Sequence, residues 1–283
     1  MLSASQLALL MGAVRSHWGL APGAEVTLEM DPASFDRSRL EAVLELGINR
    51  VSLGGQSFDD GVLEGLGRRH RASQLREACG WLRQAQQKAQ LQSWSLDLIV
   101  NLPHQSPAAW DWELTQALAQ APPHLSIYDL IVEPGTVFAW RQHRGELPLP
   151  EDDQAADQLQ STHHRLKAAG YGHYEISSWA LPGQASRHNR VYWSGADWWA
   201  LGLGSTAGMG GQRLARPRTR QAYADWVAQQ AGLQCQGSGA GLPPLEDLLL
   251  VGLRRREGVD LARLQQAQLW NADAAWLQRV LAG

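Results

Sequence analysis

The sequence predicts an α/β protein: a barrel-like parallel sheet with covering helices over residues 1–231, followed by a small helical appendage. Three observations predict it. Strand and helix patterns alternate through roughly the first two-thirds of the 283 residues, as a parallel sheet with crossover helices requires. Polar residues recur at or near strand C-terminal ends: Glu29 and Asp31, Gln56 and Ser57, Asp97, and Glu133. In a barrel-like α/β fold that rim carries the chemistry. Near residue 232 the texture changes. Residues 232–244, GLQCQGSGAGLPP, read as a Gly/Ser/Pro-rich linker, and apolar spacing at 246–253, 261–264 and 274–281 places a small helical region at 245–283.

The elements follow in order. Ser3-Ala4-Ser5-Gln6 is a capping box, and Leu7, Leu10, Met11, Val14 and Trp18 follow at helical spacing, so the chain opens on a helix. EVTLEM at 25–30 is a strand. Residues 36–46 form a helix ended by Gly47. A short strand at 50–53 precedes Gly54-Gly55, 59–66 is helical, and 73–87 is an amphipathic helix. SWSLDLIV at 93–100 is a strand, 108–120 a helix and 125–132 a strand. The long helix 151–169 has acids in its first turn and Lys167 near its end, matching the macrodipole. A strand at 174–177 follows.

Composition bounds the function. A net charge of −3 argues against a nucleic-acid surface, and the basic runs Arg68-Arg69-His70-Arg71 and Arg254-Arg255-Arg256 read as local solvated faces. No apolar run is long enough to span a bilayer, and MLSASQLALLMGAV lacks the basic lead of a signal peptide. Two cysteines, Cys79 and Cys235, make no disulfide framework, so the chain reads as cytoplasmic. The thirteen tryptophans are expected mostly in the core, and they also suit a protein that handles a flat aromatic ligand.

Several motifs carry more than one reading. GLGSTA at 202–207 matches the dinucleotide fingerprint but lies late and lacks the downstream acid. Neither cysteine has a metal-ligand partner at short spacing. His163-His164 lie on a helix about 100° apart, too far round for one metal. Glu29 and Asp31 share a strand face, yet nothing in the sequence supplies a substrate for them. RHNRVYW at 187–193 sets an imidazole near two large rings. That stretch suits a metal or haem site, a nucleotide platform or ordinary core. A neutral imidazole can ligate haem iron, and rings can stack on a porphyrin.

Read together, VTLEMDPASF, RVSLGGQSFDDGVLEGLGRRH, SLDLIVNLPHQ, LSIYDLIVEPGT, YGHYEISSWALPG and RHNRVYW occur in the order seen in the HemW haem-chaperone family. That family is related to oxygen-independent coproporphyrinogen III oxidase within the radical SAM superfamily. The resemblance covers about residues 1–260. It implies a radical-SAM-type, TIM-like partial barrel. It implies that Glu29, Gln56, Arg68 and Asp97 bind S-adenosylmethionine: carboxylates suit the ribose hydroxyls and amino group, and a guanidinium suits the carboxylate. His188, Asn189, Tyr192 and Trp193 form the H-N-x-x-Y-W motif of the haem-chaperone branch, with His188 as haem contact and the two rings packing or stacking. The implied function is to bind haem and pass it to a client protein, with weak membrane association and no nucleic acid. The porphyrin-synthesis oxidase branch is the alternative, and a nucleotide-dependent oxidoreductase using GLGSTA is a further one.

The departures from the family are informative. Its members hold a [4Fe–4S] cluster on a C-x-x-x-C-x-x-C loop followed by G-G-G-T-P, and this chain has neither. Three closely spaced thiolates are required, so no metal ligands and no catalytic residues are assigned here. The chain reads as N-terminally truncated relative to the family, and its C-terminal region as incomplete. The strand at 25–30 is then expected to have an unpaired edge and the chain to be less stable than an extended form. Gly55 stands where the family usually has a larger apolar residue, and Asn101 where it usually has glycine.

Overall fold

The computed structural model describes residues 2–230 and 242–269. The chain divides into two compact units, Met1–Ala185 and Ser186–Gly283. Most of the predicted linker at 232–244, Cys235 and the predicted helix at 274–281 lie outside the described residues.

The first unit opens on helix α1, Ala4–His17, whose N-cap Ser3 and Gln6 exchange the predicted capping-box hydrogen bonds. Its sheet has the order β1 (Thr27–Met30), β2 (Arg50–Gln56), β3 (Ser93–Val100), β4 (His124–Asp129), β6 (Ser178–Ala180), β5 (Gly172–Glu175). β1 to β4 are parallel, while β6 pairs antiparallel with both β4 and β5. The connections run through α2 (Arg37–Glu45), α3 (Asp60–Gly65), α4 (Ala72–Gln87), α5 (Pro107–Ala119), α6 (Val137–His143) and α7 (Asp152–Ala168). Asp36, Asp59 and Ser106 cap α2, α3 and α5 through side-chain oxygens. Among the described residues β1 and β5 are the two edges, so the sheet is an open, partial barrel.

The core sits on one face of this sheet. Val51, Leu53, Trp94, Leu96, Leu98 and Leu125 share that face by register and are fully buried, against Leu75 and Leu82 of α4 and Trp110 and Leu114 of α5. Burying each such side chain contributes about 1.5–3 kcal/mol. The opposite face alternates out of phase and is polar. Register aligns Glu29, Ser52, Ser95 and His124 in one row, and Asp97, Ser126 and Ser178 in the next. Parallel strands are usually apolar on both faces, so this polar face marks where the sheet does something other than pack.

The structure corrects several expectations. β2 runs past 53 to Gln56, because its backbone keeps pairing with β3 across an irregularity between Gly54 and Gln56. β4 ends at Asp129, three residues early. The basic run at 68–71 is not a solvated face throughout: His70 has no exposed surface. Trp94, Trp110 and Trp179 are in the core, but Trp18, Trp112, Trp140 and Trp199 are exposed.

The second unit contains α8 (Arg187–Trp193), the hairpin β7 (Thr206–Met209) and β8 (Gln212–Ala215), α9 (Arg220–Gln230), α10 (Leu245–Gly252) and α11 (Leu261–Gln266). GLGSTA leads into strand β7 rather than into a helix. No helix N-terminus is therefore presented there to a pyrophosphate, and the fingerprint reading is corrected. Among the described residues, no helix is long and apolar enough to cross a membrane.

Candidate functional site

Asp97 lies at the centre of the polar face. Its Oδ2 accepts from Ser52 Oγ at 2.7 Å and its Oδ1 from Ser95 Oγ at 2.9 Å, and Ser126 is its register partner on β4. The two serine hydroxyls are 2.7 Å apart. Burial pushes the Asp97 carboxyl above the ordinary aspartate range, the three hydroxyls pull it back, and the nearby Glu29 charge raises it further. Glu29, paired with Ser52 across β1 and β2, is exposed and has no hydrogen bond or ion pair among the described residues.

Gln56 ends β2 in the left-handed region, at φ +64°, a conformation that costs a non-glycine residue energy. A Cβ built on Gly54 would meet Gln56 Nε2 at 3.1 Å, so the amide folds back over Gly54, the register partner of Asp97. Gly55 faces the other way. A Cβ there would meet Leu96 Cδ1 at 2.8 Å and Leu75 Cδ1 at 3.0 Å, so these leucines occupy the space that a larger residue would take.

Arg68 is partly exposed on the wall of an open hollow of about 1060 Å³ that Asp31, Phe35 and Arg39 also line. Its guanidinium lies 4.0 Å from Asp31 Oδ2. The same oxygen is 3.6 Å from His70 Nδ1. His70 Nε2 lies 3.0 Å from the Gly55 carbonyl oxygen. Glu29, Gln56 and Asp97 thus share one sheet face, and Arg68 reaches the Gln56 turn through Asp31 and His70.

Beyond β3, Asn101 is also left-handed, at φ +60°, a conformation asparagine tolerates better than most residues. Its Nδ2 donates to Asp129 Oδ1 at 2.9 Å and its Oδ1 accepts from Gln158 Nε2 at 2.8 Å. A side chain here is accommodated by two polar partners, exposed Asp129 and buried Gln158. Further down the polar face, His124 contacts Tyr174 Oη through Nε2 at 2.8 Å, and burial pushes its imidazole down to about 3.

RHNRVYW forms helix α8. On α8, His188 and Tyr192 stand one turn apart on one face, with ring centroids 4.8 Å apart and planes at 88°. His188 is exposed. Tyr192 in turn meets Trp198 edge-on at 4.9 Å, and Arg213 covers the Trp198 ring at 4.4 Å. Trp193 points elsewhere, beneath Arg254 at 4.4 Å. Asn189 is partly buried, and its backbone N–H donates to the N-cap Ser186 Oγ. The structure therefore brings His188 and Tyr192 together and separates Trp193 from them.

Sequence reasoning missed Ser52, Ser95, Ser126 and His70. The serines had a signal: strict polar and apolar alternation in RVSLG, SWSLDL and HLSIY contradicts the two-sided burial expected of parallel strands. Among the described residues, no group of three or more His, Cys, Asp or Glu could hold a metal ion. Cys79 is buried in α4, where desolvation pushes its thiol up to about 12. The chain's two cysteines do not supply a three-thiolate cluster site.

Residues 4–112 match the Radical SAM superfamily. The heme chaperone HemW of Synechocystis is 42% identical over 255 residues, covering 89% of this chain and 61% of its own length. HemW of Mycobacterium tuberculosis is 36% identical over 280 residues, covering 97% of this chain and 70% of its own length. This chain thus spans between three-fifths and seven-tenths of those two relatives. A solved structure of coproporphyrinogen III oxidase (HemN) from Escherichia coli, titled a radical SAM enzyme, matches with a TM-score of 0.68 at 23% identity, over 81% of this chain and 54% of that one. That likeness speaks to the fold. With more than a third of its residues identical to a HemW protein across nearly its whole length, the chain belongs to the HemW family within the radical SAM superfamily.

Proposed function

We propose that this chain carries the haem-receiving and S-adenosylmethionine-binding parts of a cytoplasmic haem chaperone that passes haem to a client protein. The observation that carries the haem reading is α8: an exposed imidazole, His188, with Tyr192 braced edge-on against it one turn away. A neutral imidazole is a haem-iron ligand, and a ring fixed beside it limits its rotation and offers an apolar surface to a porphyrin. Tyr192, held by Trp198, is the packing residue. Trp193 packs beneath Arg254, and the Asn189 backbone N–H is held by the N-cap Ser186.

The polar sheet face fits S-adenosylmethionine by its donor set. Glu29, which has no partner of its own among the described residues, and Asp97, cushioned by hydroxyls, suit ribose hydroxyls and an ammonium group. Arg68 suits a carboxylate. The Gln56 amide takes the space that a side chain at Gly54 would fill, and so presents a donor and an acceptor on the polar face. When bound with a reduced cluster, S-adenosylmethionine supplies radical chemistry. The chain's own two cysteines do not fit that cluster, and what its polar-face residues do is bind and orient the cofactor.

A haem titration followed by Soret absorbance tests the reading. The parent chain is expected to bind haem and His188→Ala to weaken binding by at least about tenfold, since one axial bond is lost. Equal binding by the two removes the ligand role. Transfer of the bound haem to an apo-haemoprotein, read by the Soret shift on mixing, tests the chaperone role.

A further inference from the structure

His70 has no exposed surface and takes no part in the assignments above. Its two ring nitrogens face two different elements of the site. Nε2 lies 3.0 Å from the Gly55 carbonyl oxygen. A carbonyl only accepts, so Nε2 carries the proton and donates. Nδ1 lies 3.6 Å from Asp31 Oδ2 and has no hydrogen bond. Gly55 immediately precedes Gln56, whose φ of +64° makes the turn that carries its amide over Gly54. Asp31 Oδ2 faces Arg68, while Asp31 Oδ1 accepts from Ala33 N–H at 2.9 Å and is thereby fixed. One imidazole therefore touches the backbone that orients Gln56 and the carboxylate that faces Arg68. An aliphatic side chain would fill the same buried space without leaving a ring nitrogen unpaired, so packing alone does not explain an imidazole here.

We propose that His70 is a positioning residue of the S-adenosylmethionine site: its Nε2–H holds the left-handed turn at Gln56, while its ring stands as a spacer against Asp31. The inference rests on the reading that Gln56 and Arg68 hold this ligand. The imidazole ring is a spacer of fixed length between the β2 terminus and the segment after β1. Its N–H pins a strained backbone conformation that a non-glycine residue leaves readily when unsupported. Loss of that pin lets Gln56 relax and its amide leave the place over Gly54, while the global fold, held by the apolar face of the sheet, persists.

The test uses this chain and S-adenosylhomocysteine as probe, with affinity read by calorimetry. His70→Leu is expected to weaken binding by at least about tenfold, as a displacement of roughly 1 Å does at a pre-organised site. His70→Gln, which retains an N–H able to reach the Gly55 carbonyl, is expected to restore most of it. In a Gln56→Gly background, where the left-handed turn costs nothing, His70→Leu is expected to have no further effect. A merely structural histidine would instead show the same loss in both backgrounds, and that result overturns the proposal. Arg68→Gln and Asp97→Ala separate the two levels. If both weaken binding and His70→Leu does not, the positioning role alone falls. If the parent fails to bind, or if neither control weakens binding, the site reading falls and His70 with it. Should His70→Leu not fold, ¹⁵N shifts of the parent imidazole decide: the Nε2–H tautomer is expected, and the Nδ1–H tautomer overturns the proposal.

Discussion

Replacing Gly55 by alanine tests how tightly the sheet is closed against its helices. The added methyl would stand 2.8 Å from Leu96 Cδ1 and 3.0 and 3.1 Å from the two Leu75 methyls. Carbon atoms prefer about 3.5–4.0 Å, so three contacts are each too close by roughly half an ångström or more. Both leucines are fully buried, and neither can swing into solvent. Overpacking of this kind costs about 1–3 kcal/mol. The loss of unfolded-chain freedom on replacing glycine returns about 0.4–1 kcal/mol. The expected net loss is about 1–2 kcal/mol, read as a lower urea midpoint at unchanged m-value. Leu75→Ala opens the space the methyl needs. Its own cost, about 2–5 kcal/mol in the parent, should be about 1 kcal/mol smaller in the Gly55→Ala background. A Gly55→Ala chain as stable as the parent, or additive costs in the double variant, would refute the reasoning.

Three further outcomes follow from buried titratable groups. His124 is pushed down to about 3 against an ordinary value near 6.5. Between those values the unfolded chain binds more protons, and stability falls as the pH drops through that window. His124→Gln should flatten the acid limb of the stability profile, and an unchanged slope would count against a neutral buried imidazole. The Asp97 carboxyl is raised by burial, so ionising it costs stability as the pH rises above the ordinary aspartate range. Asp97→Asn should therefore be more stable than the parent at pH 7 and lose that advantage below pH 4; parallel profiles across the range would refute this. Cys79, raised to about 12 in the core of α4, should react with a thiol reagent in a Cys235→Ser background only as fast as the chain unfolds. Rapid labelling of the folded protein would contradict its burial.

Much of the first unit was legible because its signals are local. Ser3 and Gln6 announce α1 three residues apart, and the 3.6-residue spacing of Leu75, Ala78, Cys79 and Leu82 gives α4 its buried stripe. The antiparallel β5 and β6 were not legible as a pair. Each is three or four residues long, and β6 pairs with β4, whose residues lie about 50 positions earlier, so tertiary pairing rather than propensity decides them. RHNRVYW escaped as a helix because histidine, asparagine, valine and aromatic residues are all weak helix formers. Its N-cap, Ser186, is what starts it. The charged candidates of the polar face were visible as acids at strand ends. Ser52, Ser95 and Ser126 left only the alternation of polar and apolar residues as a trace, because a serine's role becomes plain only through the register that stacks it beside Asp97. His70 was hidden inside a basic run, where three arginine neighbours suggested solvent.

A sheet that devotes one side to hydroxyls and carboxylates asks its other side to supply the adhesion. Aliphatic contacts among α4, α5 and the outward-facing residues of β2 and β3 must hold the first unit together without a matching layer within. Damage should therefore be unequally tolerated. Trimming Leu82 or Trp94 ought to melt the whole unit, whereas exchanging serines on the inner side should leave the melting point nearly still while eroding ligand affinity. In such a protein thermal robustness and binding can be tuned almost separately, on opposite sides of the same strands.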